Sequence, residues 1–300
     1  MSPKLQNFIT RAITGVIFVV TIVVSFITPA AMALLFALIT GMTLYEYTGL
    51  VNSKEGVRVN RFISTFAGVI LFVSMFAYCS DIAPSAVFIP YLLTIIYLFI
   101  SELYTKNPNA LNDWAYTMLG QMYIALPFST INILAFQSFN GTPYYNYLLP
   151  LSVFVFLWAN DTGAYLSGSM FGKHKLFPRI SPAKSWEGSI GGGILVIAVA
   201  AIIATLTYES QALVQGTTEA AGAHSNAQLL YTLQWVGIGI TVVFFGTWGD
   251  LIESLMKRTL GIKDSGTILP GHGGMLDRFD SSLMAIPATV IYLYSLQYFM

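Results

Sequence analysis

The residues best suited to chemistry are concentrated between positions 249 and 280, in a polar segment that separates two strongly apolar runs. This segment holds five of the fourteen carboxylates, four of the fourteen basic residues and six glycines. A lipid-facing helix would not carry so many charges, because ionisable groups are costly to place in hydrocarbon. The segment therefore predicts a polar site where two apolar helices end.

A group of polar residues follows directly on the first of these apolar runs. Asp250, Glu253, Ser254 and Lys257 have the spacing i, i+3, i+4 and i+7, which places side chains on one face of an α-helix. If the apolar run continues as a helix, this face presents two carboxylates, a hydroxyl and an ammonium group at its end.

A second pair of carboxylates opens the next predicted helix. Asp277 and Asp280 are three residues apart and share a face, whereas Arg278 is expected to point elsewhere. The preceding loop contains the turn-rich stretches Lys263 to Gly266 and Pro270 to Gly274. Its glycines permit positive φ angles and leave backbone N–H groups exposed for anions. Carboxylates from two helix ends are thus expected beside a loop that can bind anions.

Carboxylates that converge in this way predict a particular kind of metal site. Hard oxygen ligands favour Mg²⁺ over zinc, and Mg²⁺ is usually held by a few carboxylates together with substrate phosphates. From charge alone, a solvated loop whose acids and bases pair across the surface is also an interpretation. The residue types do not decide between these two interpretations.

The same segment resembles the signature of the phosphatidate cytidylyltransferases, also called CDP-diacylglycerol synthases. The matching positions are Ser254-x-Met256-Lys257-Arg258, Lys263-Asp264-x-Gly266 and Leu269-Pro270-x-His272-Gly273-Gly274-Met275-x-Asp277-Arg278-Phe279-Asp280. Every defined position of that pattern is filled at the family's spacing. The resemblance implies an enzyme of phospholipid biosynthesis that transfers a cytidylyl group from CTP to phosphatidic acid. The products would be CDP-diacylglycerol and pyrophosphate.

A second block, between positions 161 and 188, is also similar to that family. It comprises Asp161-Thr162-Gly163-Ala164-Tyr165, Phe171-Gly172-Lys173-His174-Lys175 and Ser181-Pro182-x-Lys184-x-x-Glu187-Gly188. Ser169 departs from the pattern, which has an arginine there. On charge alone, this basic loop fits anchoring to anionic headgroups as well as it fits substrate binding.

The resemblance implies roles for the charged residues of both blocks. Asp250, Asp277 and Asp280 would bind Mg²⁺, and a second monovalent or divalent cation is left open. The other residues given catalytic roles are Lys257, Arg258, Lys263 and Asp264. The residues given substrate-binding roles are Arg278, His272, Gly273, Gly274, Asp161, Lys173, Lys184 and Ser254. No protein nucleophile is required, since the lipid phosphate itself can attack the α-phosphorus of CTP.

Composition indicates the class of protein independently of the motifs. Hydrophobic residues make up 55% of the chain and charged residues only 9%, against about 25% charged in an ordinary soluble domain. We therefore predict an all-α, polytopic integral membrane protein. Its single cysteine, Cys79, excludes a disulfide framework and a thiolate metal cluster.

The apolar runs predict about nine transmembrane helices, since about 20 residues cross the hydrocarbon core. They cover residues 11–27, 30–50, 62–79, 86–100, 114–136, 147–167, 189–208, 229–248 and 282–299. The first five spans would form an N-terminal region, residues 1–145. The other four would form a catalytic region, residues 146–300, with a loop from Glu209 to Gln228 between the seventh and eighth spans.

The N-terminal region carries no diagnostic motif. Its isolated polar residues, Glu46, Glu102, Asp113 and Gln121, are expected to be interfacial or satisfied by neighbouring helices.

Two rival functions remain open from the sequence. A CTP-dependent polyprenol kinase would use a similar metal-triphosphate site but would transfer the γ-phosphoryl group. A cation-coupled transporter would use intramembrane acids and discontinuous helices without nucleotide turnover. The expected partners are CTP, phosphatidic acid and membrane lipids, with no nucleic acid, and the oligomeric state is open, a homodimer included.

The basic residues predict the orientation of the chain in an inner or plasma membrane. All fourteen lysines and arginines fall on one side of the nine-span map, and that side is cytoplasmic by the positive-inside rule. The N-terminus and the active site would then be cytoplasmic. We expect a topology reporter fused after Met300 to signal from the opposite compartment. A cytoplasmic signal would remove one span from the map.

Overall fold

The protein is a bundle of apolar α-helices. The computed structural model describes residues 3–105, 107–139, 141–215, 221–266, 268 and 273–299. The helices are α1 (Pro3–Ser25), α2 (Pro29–Val51), α3 (Arg61–Cys79), α4 (Ile89–Thr105), α5 (Ala110–Gly120), α6 (Leu126–Ala135), α7 (Leu148–Phe171), α8 (Trp186–Gln215), α9 (Ala221–Thr259) and α10 (Leu276–Phe299). The predicted all-α class is confirmed.

Two short antiparallel hairpins interrupt the helices, and the sequence did not predict them. Strands β1 (Phe136–Phe139) and β2 (Thr142–Tyr145) connect α6 to α7, and β3 (Lys175–Phe177) and β4 (Ser181–Ser185) connect α7 to α8. The second hairpin contains the basic loop of the second motif block.

Seven helical segments of the described chain are long and apolar enough to cross a membrane. They are Pro29–Val51, Arg61–Cys79, Ser85–Thr105, Ala110–Ala135, Trp186–Glu209, Asn226–Thr259 and Leu276–Leu296. The predicted membrane protein is thus confirmed. Two other predicted spans are also helical: α1 has a shorter apolar part, Ala12–Ser25, and α7 contains several polar and glycine residues. The count of nine spans stays a prediction, as does the division at residue 145.

A π-helical turn, Gln121–Ala125, joins α5 to α6 into one segment. The amide of Leu126 donates to the carbonyl of Gln121, five residues earlier, and Pro127 follows. Proline has no N–H and its ring disturbs the preceding turn, so the chain widens there instead of continuing as a regular α-helix.

The loop predicted between Glu209 and Gln228 is wrong for most of its length. Helix α8 continues to Gln215 and α9 already begins at Ala221. The polar residues of this stretch suppressed the apolar signal, but Ala and Gln are good helix formers and keep both helices intact.

Glycines allow α7 and α8 to pack with their backbones in contact. A Cβ atom on Gly163 would lie 2.9 Å from the Cα of Gly192 and 3.0 Å from the carbonyl oxygen of Gly191. On the same interface, a Cβ on Gly188 would lie 2.9 Å from the carbonyl oxygen of Ala164. Membrane helices often approach in this way through small residues. The close packing fixes the second motif block, which both helices carry.

An aromatic cluster fixes the start of α10 in the core. The ring of Phe279 lies 5.5 Å from Phe18 of α1, 5.5 Å from Phe128 of α6 and 6.2 Å from Phe154 of α7, measured between centroids. Phe279 is almost completely buried. Because it stands between the two aspartates of the motif, its packing holds both carboxylates at the edge of the core.

Three of the four isolated polar residues of the N-terminal region have a local hydrogen-bond partner, although Oε1 of Gln121 has none among the described residues. Asp113 accepts from the backbone amide of Arg58 at 2.6 Å and Gln121 donates to the carbonyl of Ser64 at 2.8 Å. Glu102 accepts from the hydroxyl of Thr105 in its own helix. Glu46 behaves differently, because its carboxylate accepts hydrogen bonds from the segment between α9 and α10.

Candidate active site

The polar face predicted for the end of α9 is present. The helix continues from its apolar part to Thr259 without a break. Asp250 accepts a hydrogen bond from the hydroxyl of Ser254 at 3.1 Å, and Lys257 pairs with Glu253 at 2.6 Å. Both are i, i+4 pairs, as expected for neighbours on one helix face.

Lys257 also connects α9 to α10. Its ammonium nitrogen lies 2.6 Å from Oδ1 of Asp277 and 2.6 Å from Oε2 of Glu253. The side chains of Lys257, Glu253 and Asp277 are 13%, 0% and 7% exposed. Charges this deeply buried are tolerated only when they are paired, so removal of the ammonium group would leave two buried carboxylates uncompensated at the junction of the two helices.

The backbone before α10 holds the other oxygen of Asp277. Oδ2 accepts from the amides of Ser265 and Gly274, each at 2.8 Å. Gly273 has a φ angle of +82°, in the left-handed region that favours glycine, and a Cβ there would lie 2.5 Å from the same oxygen. The glycine-rich sequence is thus required to fold the loop around this carboxylate.

An ion pair joins the two motif blocks. The ammonium nitrogen of Lys184, in β4, lies 2.5 Å from Oδ2 of Asp250 in α9. Both side chains are about one-quarter to one-third exposed. The sequence placed these residues in separate sets, and the fold brings them into direct contact.

The carboxylates face a cavity of about 400 Å³. Its polar lining consists of Asp161, Asp250, Asp277, Arg278 and Asp280, with Thr14, Ser281 and Ser282. The expectation that Arg278 points away from the aspartates is wrong, because its long side chain reaches the same cavity. Phe18 and Gly15 of α1 complete the wall, which no motif indicated.

A second cavity, of about 390 Å³, lies between α7, α8 and β4. Asp161 lines both cavities, and Lys184 lines the second one. Ser169, the departure from the family pattern, lies on its wall, where its hydroxyl donates to the carbonyl of Leu166. The two cavities therefore meet at the start of the second motif block.

The residues around the first cavity have the chemistry of a magnesium site. The carboxylates are Asp161, Asp250, Asp277 and Asp280, and three cations lie close by, Lys184, Arg278 and Lys257. Excess negative charge at a partly buried site favours a bound cation, and the donors are hard oxygens. Within the described residues, no three His, Cys, Asp or Glu side chains are already spaced to hold a metal ion. The predicted ligand set of Asp250, Asp277 and Asp280 stays a prediction.

Several predicted site residues lie away from both cavities. Arg258 is exposed and donates to the carbonyl of Ile262 at the end of α9, at 3.3 Å. Lys263, Asp264 and Lys173 are exposed and line neither cavity. His272 lies outside the residues that the structure describes.

Glu46 of α2 is the functional-site contact that sequence reasoning missed. Its carboxylate accepts from the hydroxyl of Ser265 and from the amides of Met275, at 2.8 Å, and Leu276, at 3.3 Å. The available signal was one buried carboxylate in an apolar helix, which by itself does not identify a partner more than 200 residues away.

Comparison with known protein families identifies the family of this chain. A family model described as the Cytidylyltransferase family matches residues 9–296. The chain belongs to the cytidylyltransferase family. It is therefore a membrane-bound nucleotidyltransferase, and the resemblance seen in the motifs is confirmed over nearly the whole chain.

Named members of the cytidylyltransferase family show the same relationship. The chain is 32% identical over 271 residues to the phosphatidate cytidylyltransferase of Haemophilus influenzae, covering 87% of this chain and 88% of the relative. It is 37% identical over 185 residues to that of Staphylococcus aureus strain COL, covering 61% and 60%. It is 36% identical over 183 residues to that of Staphylococcus epidermidis strain RP62A, with the same coverage.

The buried Lys257 cluster predicts a large effect on stability. Lys257→Met would leave Glu253 and Asp277 buried beside each other without a cation, which typically destabilises by about 3–5 kcal/mol. Unfolding of the detergent-solubilised protein by heat should begin at a clearly lower temperature. Arg258→Met is the matched control, since this exposed neighbour has one hydrogen bond among the described residues, to a carbonyl oxygen, and it should unfold nearly as the unmodified protein. Equal stability of the two variants would contradict the cluster's role.

Proposed function

We propose that this cytidylyltransferase transfers the cytidylyl group of CTP to phosphatidic acid, giving CDP-diacylglycerol and pyrophosphate. The observation that carries the proposal is the meeting of the two motif blocks at one site, where carboxylates from α7, α9 and α10 and basic side chains from β4 and α10 surround adjoining cavities. Relatives named phosphatidate cytidylyltransferase support the choice of substrates.

The reaction requires charge compensation more than it requires a protein nucleophile. A phosphate oxygen of phosphatidic acid attacks the α-phosphorus of CTP, the bond from that phosphorus to the bridging oxygen of the β-phosphate breaks, and pyrophosphate leaves. Two anionic substrates repel each other, so cationic groups must hold them together and in line. Arg278 in the first cavity and Lys184 at the second are positioned to supply them.

Asp250, Asp277 and Asp280 would hold the magnesium ion of this site. When bound, Mg²⁺ offsets charge on the phosphate oxygens and on the leaving pyrophosphate. The carboxylate of Asp277 is already oriented by Lys257 and by two backbone amides. Asp280, in contrast, accepts only from the amide of Ser281 among the described contacts, which leaves it lone pairs for a cation.

The ion pair of Lys184 and Asp250 suggests how substrate binding is accommodated. Each group is compensated by the other before substrate arrives. A substrate phosphate at Lys184 and a cation held by Asp250 would each replace one member of the existing ion pair. Neither group is left buried without compensation, so the exchange avoids the penalty for breaking such a pair.

The two cavities provide a place for each substrate. We assign the triphosphate of CTP to the cavity with the carboxylates and the lipid phosphate to the cavity between α7 and α8. Tyr165 on the rim of the latter is largely exposed on the bundle surface. We expect the lipid to enter there from the bilayer, with the site on the cytoplasmic side where CTP is available.

The activity can be tested directly with CTP labelled in the cytidine and the γ-phosphate. With phosphatidate and Mg²⁺, we expect labelled pyrophosphate and a labelled CDP-lipid in equal amounts. Release of CDP with transfer of the γ-label to a polyprenol would support a kinase instead. No nucleotide turnover with either lipid, together with cation-driven uptake, would support a transporter.

The cavity carboxylates predict the outcome of conservative substitutions. Asp250→Asn, Asp277→Asn and Asp280→Asn each remove a negative oxygen while nearly preserving shape, and kcat should fall by roughly 100-fold or more. Double variants should lose little beyond the single ones, because the residues act as one unit. Asp264→Asn is the control, an exposed carboxylate of the same loop that lines neither cavity. Near-full activity of Asp277→Asn and Asp280→Asn would show that these carboxylates do not hold the metal ion.

Lys184 predicts an effect on substrate affinity. Lys184→Ala removes a cation from the second cavity and should raise the apparent KM for CTP or phosphatidate by roughly 10-fold, since a charge-assisted contact is lost. Lys175→Ala, an exposed lysine of the same hairpin, serves as the control. Steady-state kinetics in mixed micelles measures both. An unchanged KM for both substrates in Lys184→Ala would instead favour the interpretation that this loop anchors to anionic headgroups.

A further inference from the structure

We propose that Glu46, in the motif-free N-terminal region, is a positioning residue for Asp277 and for the loop between α9 and α10, residues 260–275, which we call the catalytic loop. Glu46 lies on α2, near its last turn, and is buried. Both of its carboxylate oxygens are directed at the segment that leads into α10. This proposal depends on the proposed function only because one of its two tests measures enzymatic activity.

The contacts of Glu46 cap the start of α10. Oε2 accepts from the amide of Met275 at 2.8 Å, and Oε1 accepts from the amide of Leu276 at 3.3 Å. The first amides of a helix have no partner within it, and a negative charge there is favourable. A carboxylate from another helix thus performs the capping that a residue of the loop itself usually provides.

Ser265 connects Glu46 to the carboxylate of Asp277. Its hydroxyl donates to Glu46, and its backbone amide donates to Oδ2 of Asp277 at 2.8 Å. The same hydroxyl accepts from the amide of Asp277 at 3.3 Å. The loop is therefore held between two carboxylates, one from α2 and one from α10, and a shift of Glu46 is transmitted to Asp277 through one residue.

The glycines of the loop confirm how closely Glu46 is fitted. A Cβ on Gly266 would lie 2.9 Å from the carboxyl carbon of Glu46, and a Cβ on Gly274 would overlap its Oε1 and the hydroxyl of Ser265. Three donors engage the two oxygens, so Glu46 orients the site through these contacts and is not itself directed into the carboxylate cavity.

The test compares Glu46→Gln with Ser265→Ala and with the double variant. The amide group of Gln presents N–H to a donor of the loop, so Asp277 should be misplaced and kcat should fall roughly 10- to 100-fold. The KM for phosphatidate should stay within about twofold, because that substrate is assigned to the other cavity. The kcat of the double variant should be no lower than that of Glu46→Gln alone. Trypsin should cleave after Lys263 faster in both single variants than in the unmodified protein.

Glu102→Gln is the matched control, since this buried carboxylate bonds only within α4 among the described contacts, and it should keep its kcat and its trypsin resistance. If Glu46→Gln does not assemble in the membrane, Ser265→Ala still decides, because it removes one hydroxyl and should lower kcat by itself. Full activity of Ser265→Ala, independent losses in the double variant, or an equal loss in Glu102→Gln would overturn the proposal. An unmodified enzyme without cytidylyl transfer would instead refute the proposed function, and the trypsin comparison would still test Glu46.

Discussion

Buried negative charge is the constraint on which the rest of this structure depends. Carboxylates from four helices, α2, α7, α9 and α10, are directed at one small region at the end of an apolar bundle. An unpaired charge in such surroundings is strongly destabilising, and most of these carboxylates accordingly have a cation or several hydrogen-bond donors as partners. The two motif blocks supply most of these partners, which explains why their residues occur together although they are far apart in sequence.

The carboxylates divide into two groups according to how they are compensated. Glu46 and Asp277 accept from backbone amides of the loop, and the buried carboxylate of Glu253 is paired with Lys257. These contacts are internal and fix the geometry. Asp250 pairs with Lys184 of another element, and among the described contacts Asp280 accepts from one neighbouring amide. These two carboxylates have remaining capacity for a ligand, and Asp277 lines the same cavity with its orientation already fixed.

Local spacing was sufficient to predict the parts of the site that lie on one helix. The shared face of Asp250, Ser254 and Lys257 follows from the helical repeat, and the helix start at the Asp277 pair follows from the return of apolar residues after a glycine-rich loop. The membrane class and the all-α fold were also predictable, because the composition and the lengths of the apolar runs are properties of local sequence. Such features depend on neighbours within about seven positions.

The features that could not be predicted depend on tertiary contacts. The Lys184 and Asp250 pair joins a hairpin to a helix, and the contact of Glu46 with the loop crosses the proposed boundary at residue 145. The reach of Arg278 into the cavity depends on its long flexible side chain and not on its position on the helical repeat. Nothing in the hydropathy of α1 indicates that it closes a polar cavity.

The motif-free helices therefore have a definite physical role in the chemistry. The catalytic loop is rich in glycine, and such a loop has a large conformational freedom that must be removed before its amides and carboxylates can act together. Helix α2 removes part of that freedom with one buried carboxylate, and α1 and α6 fix the helix that follows the loop through aromatic contacts with Phe279. A loop whose two ends are held by carboxylates in this way is preorganised for charged substrates. The charged segment is therefore more than a surface loop, because the amides of Met275 and Leu276 donate to Glu46, a residue that the motif does not contain.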